Sequence, residues 1–194
     1  MRIPFLTAAL AALTFALPAV AQKVQVFGGN SQRHCSSLVL FGDDVMAALT
    51  VTHGQPQWQA EYDGMLGKVK GKTLRLGKDL WTTFMNNVEF KIGDAKIPAG
   101  NWVVGLQCDQ EGNFSLAFLD ATKAMQENIM PFGPQTWTPD HVARLELKKD
   151  AVEEAVEKMT IELKGNQEEP MLAKFVLSWG KHQLVADITI NARR

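Results

Sequence analysis

The strongest constraint on this chain is a period-two alternation of apolar and polar residues that recurs along most of its length. In Met159-Thr160-Ile161-Glu162-Leu163-Lys164 the two kinds swap at every step, as a strand buried on one face requires. Phe175, Leu177 and Trp179 line one face of a following run, and Leu184, Ala186, Ile188 and Ile190 line the next. Gly180-Lys181 between them suits a tight hairpin connection. Upstream, Val88, Phe90 and Ile92 lead into a Gly93-Asp94 turn, and Trp102, Val104, Leu106 and Cys108 share one face. Phe114, Leu116 and Phe118 follow a polar break at Asp109 to Asn113, and Ala143, Leu145 and Leu147 repeat the pattern. Near the start, Cys35, Ser37, Val39 and Phe41, then Val45, Ala47, Leu49 and Val51, predict two further strands around Gly42-Asp43.

Roughly eight short strands with turn signals between them predict an all-β fold, an antiparallel β-sandwich or jelly-roll-like barrel. One or two short helical segments accompany it. Asp120 is placed to cap a helix running through Asn128 that Pro131 ends, and Asp150 with Glu153 forms a weak capping box.

Residues 1–21 read as a cleavable signal peptide. Arg2 supplies the positive start, and Phe5 to Leu17 is an apolar stretch well short of a membrane span. Ala19-Val20-Ala21 gives the small-x-small cleavage pattern, leaving Gln22 as the expected mature start. The protein is therefore expected to be exported, to a periplasm or the cell exterior. The remaining 22–194 form one expected domain of 173 residues (194 less 21). Without Arg2, 19 of the 20 Lys+Arg stand against 21 Asp+Glu, a net charge of −2. That balance offers no attraction for nucleic acid, and no second apolar run predicts membrane insertion after cleavage.

Cys35 and Cys108 are the two cysteines. An oxidising compartment permits a disulfide between them. Two thiols buried on inward strand faces are the equal alternative. No CxxC pair supports a redox site.

Parts of the chain resemble an uncharacterised secreted bacterial family, domain of unknown function 2911. His53-Gly54-Gln55-Pro56 stands where that family carries Tyr-Ser-Arg-Pro or a close variant. Arg75-Leu76-Gly77 with Thr82-Thr83 is similar to its Arg-Thr-Gly-Ala-Asn-Glu-Ala-Thr-Thr segment. Lys91 to Trp102, through Ile97-Pro98-Ala99-Gly100, resembles its Gly-Lys-x-x-Pro-Ala-Gly-x-Tyr signature. Val156 to Ile161 and Leu177 to Gly180 resemble its closing strands. The likeness spans roughly Val51 to Ile190 and implies a compact β fold outside the cytoplasm, with no activity attached. Asp79 and Leu80 depart from the family's Asn-Glu, and His53 replaces an aromatic hydroxyl.

Two loops concentrate groups suited to a ligand. His53, Gln55 and Trp58 combine an imidazole, an amide and an indole around Pro56. Amides beside an aromatic face suit a glycan or another small polar molecule, whereas the plainer reading closes the sheet end with Trp58 and spends the amides on loop backbone. Arg75 and Trp81, with Lys78 and Asp79, form the second group. An arginine fork binds carboxylate or phosphate and an indole stacks on it or on a ligand ring. The plainer reading is an Arg75–Asp79 surface pair with Trp81 in the core. Trp102 and Trp179 are expected to be packing, and Trp137, between Pro134 and Pro139, exposed.

His34, His53, His141 and His182 show no metal-ligand spacing, so no metal site is predicted. No Gly-x-Ser-x-Gly elbow, phosphate loop or dinucleotide fingerprint is present, so no cofactor is predicted either. Gly28-Gly29-Asn30 reads as a turn. The expectation is an exported, non-enzymatic binding or structural module with a small-molecule or glycan ligand around His53, Gln55, Trp58, Arg75 and Trp81. The alternative is a hydrolase using His53 with Asp63 or Glu61 as acid/base partner.

Overall fold

The structure is a computed structural model that describes residues 32–129 and 138–192. The expected signal peptide, the Gly28-Gly29-Asn30 turn, Pro131 and Trp137 lie outside the described residues. The fold is mostly antiparallel β, as the alternation requires, and its twelve strands make one sheet nearly closed into a barrel.

The strands are β1 (Arg33–Gly42), β2 (Val45–Gly54), β3 (Lys72–Arg75), β4 (Thr82–Asn86), β5 (Phe90–Ile92), β6 (Ala95–Ile97), β7 (Gly100–Cys108) and β8 (Phe114–Asp120). They continue as β9 (His141–Lys148), β10 (Val156–Gly165), β11 (Leu172–Gly180) and β12 (His182–Ile190). Around the barrel the order is β1-β2-β4-β7-β8-β9-β12-β11-β10; β3 pairs with β7, and the β5–β6 hairpin joins β12. The expected tight turns are present. Trp179 pairs with His182 across Gly180-Lys181, and Ile92 pairs with Ala95 across Gly93-Asp94.

Inward side chains fill the barrel. Phe84, Phe90, Phe118, Phe175, Leu49, Ile92 and Ile161 are all essentially inaccessible, so the lumen is an oily core and not a channel. Phe84 stacks on Phe90 at 5.1 Å and meets Phe118 edge-on at 5.8 Å. One buried amide is accommodated because every bond it needs is supplied. Asn86 donates to the carbonyls of Val88 and Pro98, both at 2.7 Å, and accepts from Trp102 Nε1 at 3.0 Å. The Pro98-Ala99-Gly100 stretch thus serves packing.

A smaller apolar cluster lies on the barrel's outer surface. Asp120 caps α1 (Ala121–Gln126), its carboxylate accepting from the Lys123 N–H at 2.9 Å. Ala124 of α1 covers Val103, Ala117 and Leu119, with Trp81 and Ile129 packed alongside. This is why β7 and β8 are apolar on both faces.

Several expectations are corrected. The Asp150–Glu153 capping box forms no helix; the segment is a turn with Asp150 at φ 49°. An unexpected 3-10 segment runs from Ala60 to Val69. On β1 the inward face belongs to Ser36, Leu38 and Leu40, whereas Cys35, Ser37, Val39 and Phe41 point out. Cys35 and Cys108 are both free, one exposed and one buried. In the order β1-β2-β4-β7 three strand steps separate them, on the order of 14 Å, twice the reach of a disulfide.

Gly180 sits at φ +61°, and a Cβ there would lie 2.5 Å from the Trp58 ring. Gly180→Ala therefore combines left-handed strain of about 1–2 kcal/mol with displacement of the indole. It should lower Tm by at least about 4 °C in a thermal melt. Maleimide labelling with intact-mass readout should add one label to the native chain, on Cys35, and two after unfolding. Burial pushes the Cys108 thiol up and withholds its thiolate.

Candidate functional site

The barrel closes where β1 and β2 meet β10, and the residues singled out around Pro56 do the closing. β10 is the terminal strand of the sheet, so its outer N–H groups need partners from elsewhere. At its start, backbone supplies them. Trp58 N–H donates to Glu157 O at 2.6 Å, and Met159 N–H donates to Pro56 O at 3.0 Å. Further along, side chains take over. His53 Nε2 accepts from Ile161 N–H at 3.1 Å, and Ser36 Oγ accepts from Leu163 N–H at 2.9 Å. Gln55 Nε2 donates to Met159 O at 3.1 Å. Beyond them Leu38 lies over Gly165, where a Cβ would come within 2.7 Å of it. Since Ser36 meets Leu163 and Leu38 meets Gly165, β1 and β10 run side by side in the same direction.

This geometry fixes the chemistry of His53. The Gly54 carbonyl, 3.1 Å from Nδ1, can only accept, so Nδ1 carries the proton. Nε2 is then a lone-pair acceptor, as the Ile161 N–H demands. The ring is wholly inaccessible. Burial, and to a lesser extent the nearby His34 and Arg33, hold its pKa down to about 4 against a weaker opposing bond to Gly54.

Both His53 nitrogens are therefore occupied by backbone, and the expected His53–carboxylate dyad is not formed. Asp63 pairs instead with His182, whose Nε2 lies 2.7 Å from Oδ1. That pair ties the Ala60–Val69 segment to the start of β12. Trp58 packs edge-on against Trp179 at 5.2 Å and Tyr62 at 5.7 Å, over Gly180. Trp179 spends its indole N–H on Pro56 O at 3.0 Å. His53, Gln55 and Trp58 are thus placed as structural members of the seam, the plainer of the two roles weighed for them.

The second group divides. Arg75 Nη1 donates to Asp79 O at 3.2 Å and holds the 76–80 turn, in which Asp79 takes φ 66°. That turn is anchored by Thr82 Oγ1 on Leu76 O at 2.6 Å, and Gly77, at φ +87°, packs against Gly54. Trp81 leaves the turn toward the outer face, its indole N–H 3.4 Å from Ile129 O. There it lines a groove of about 400 Å³ with Leu80, Val103, Ala124, Met125 and Ile129. Leu80 and Met125 are 41% and 79% exposed at this groove.

Arg33, the one charged residue lining the groove among the described residues, was not singled out from the sequence. Its Nη2 donates to Thr52 O at 3.0 Å and to Trp81 O at 2.5 Å. Its Nη1 is shielded from solvent with no hydrogen-bond partner. Burial holds the guanidinium below the usual arginine range, opposed by the charge of Asp79. It stays charged at neutral pH. A lone arginine opening a strand matches no motif.

Among the described residues no group of three or more His, Cys, Asp or Glu is placed to hold a metal ion, and no helix is long and apolar enough to cross a membrane. Comparison with known proteins finds no matching family model, curated protein or solved structure. The likeness to domain of unknown function 2911 accordingly remains a sequence expectation.

His53 makes the seam pH-sensitive. The folded imidazole takes its proton near pH 4 and the unfolded one near 6.5. Between those values the unfolded chain binds the extra proton, so the contribution is complete above about pH 6.5 and is lost as pH falls toward 4. Its size is on the order of 2–3 kcal/mol. His53→Phe should cost about 1–3 kcal/mol at pH 7 by leaving the Ile161 N–H unsatisfied. The same variant should flatten the stability loss between pH 6.5 and 4.5 in urea titrations, whereas parallel slopes for the two proteins would exclude this role.

Proposed function

We propose that the chain is an exported, non-enzymatic binding module whose ligand occupies the groove between the Leu76–Trp81 turn and α1. The observation that carries this reading is the groove's composition. An open apolar trough of about 400 Å³, with Leu80 and Met125 left in solvent at its rim, is of ligand-site size. Of the five residues expected to meet a ligand, Trp81 lines it. The lining favours a ligand with an apolar body over the glycan expected from the amides, since Gln55 spends its N–H on Met159 O. A non-enzymatic role is supported by the saturation of His53 and by the commitment of Asp63 to His182.

The neutral dye N-phenyl-1-naphthylamine should brighten on binding the wild-type protein. Leu80→Asp and Met125→Glu each put a charge on the rim, and each should weaken dye binding about tenfold, equivalent to about 1.4 kcal/mol. Met125→Glu should shift Tm by no more than about 2 °C because Met125 is largely exposed, and Leu80→Asp by somewhat more because Leu80 is over half covered. Phe41→Asp is the control, because Phe41 is 87% exposed on the β1 face and does not line the groove. If Phe41→Asp weakens the dye as much as the rim variants do, the groove is not the site.

A further inference from the structure

We propose that the groove is built for an apolar-bodied monocarboxylate, a medium-chain aliphatic acid, whose carboxylate is received by Arg33. The inference rests on the groove being the ligand site and adds the chemistry of the ligand's head. Three observations meet there. The trough is aliphatic along α1 and β7, at Ala121, Ala124, Met125 and Val103, so the body of the ligand should be a hydrocarbon. A charged guanidinium stands in that lining with Nη2 spent on two carbonyls and Nη1 unpartnered and out of solvent. A buried donor without an acceptor is costly, more so on a charged group, and an entering carboxylate removes that cost with a charge-assisted hydrogen bond.

The neighbouring charge decides the valence of the head. Asp79 acts on Arg33 through space with the opposite sign. The charge of Asp79 offsets part of the guanidinium's, which favours a head with one negative charge over the two of a phosphate monoester. With Nη2 spent on two carbonyls, the bond is made through Nη1 and not through the Nη1–Nη2 fork that an open arginine offers. A neutral head of the same length would fill the trough and leave Nη1 as it is.

The test compares decanoate with decanol, two ligands with the same body, by isothermal titration calorimetry. Wild-type protein should bind decanoate at least about tenfold more tightly than decanol. Arg33→Met should abolish that preference while leaving decanol affinity within about twofold. Arg33 also bridges Thr52 and Trp81, so this variant can lose the fold. Asp79→Asn is therefore run beside it, because asparagine tolerates the positive φ of that position. It should tighten decanoate several-fold and leave decanol unchanged. Equal wild-type binding of the two ligands overturns the carboxylate assignment and leaves the groove as a site. No change in decanoate affinity in Asp79→Asn also overturns it. Binding of neither ligand, with a dark N-phenyl-1-naphthylamine control, overturns the groove and the assignment together.

Discussion

The architecture depends on how the outer edge of β10 is satisfied. A sheet that curls into a barrel must either join its first and last strands by a backbone ladder or supply other partners for the exposed N–H groups. Here the two terminal strands run in the same direction, and polar side chains supply the joint. The imidazole of His53 and the hydroxyl of Ser36 accept from successive outward N–H groups of β10, at Ile161 and Leu163. Gln55 takes a carbonyl one step earlier. The core phenylalanines have a closed container because these three short side chains reach across the gap.

The same joint explains how much of the chain was legible as a string of residues. Where one face is polar and the other apolar, as in β9, β10 and β12, alternation sets the face unambiguously. The hairpins at Gly93-Asp94 and Gly180-Lys181 follow from turn chemistry that needs no tertiary context. In β1 the run Leu38-Val39-Leu40-Phe41 is apolar on both faces. Period alone could not choose between them, and the face bearing Cys35 proved to be the outer one. Asp150 with Glu153 has a helix-start spacing but no apolar stripe behind it, so nothing held a helix there.

The site was legible in its residues and not in its grouping. His53, Gln55 and Trp58 stand out because an imidazole, an amide and an indole gather around one proline. Their partners lie about a hundred positions away along the chain, at Met159, Ile161 and Trp179, and no local pattern reports them. Trp81 was recognisable as a large side chain in a loop. Its companions come from β1, β7 and α1. Arg33 escaped notice because its place in the groove, with Nη1 buried and unpartnered, is visible only in three dimensions.

Closure by distant partners also has a kinetic side. Ser36 and Leu163 are separated by 127 positions, and bringing such ends together costs on the order of 4 kcal/mol in loop entropy before any contact rewards it. Every other neighbouring pair along the barrel order is made between strands nearer in sequence or already templated by a hairpin. Among neighbours in the barrel order, the zipper between β1 and β10 therefore carries the largest chain-entropy cost, which only the completed seam repays.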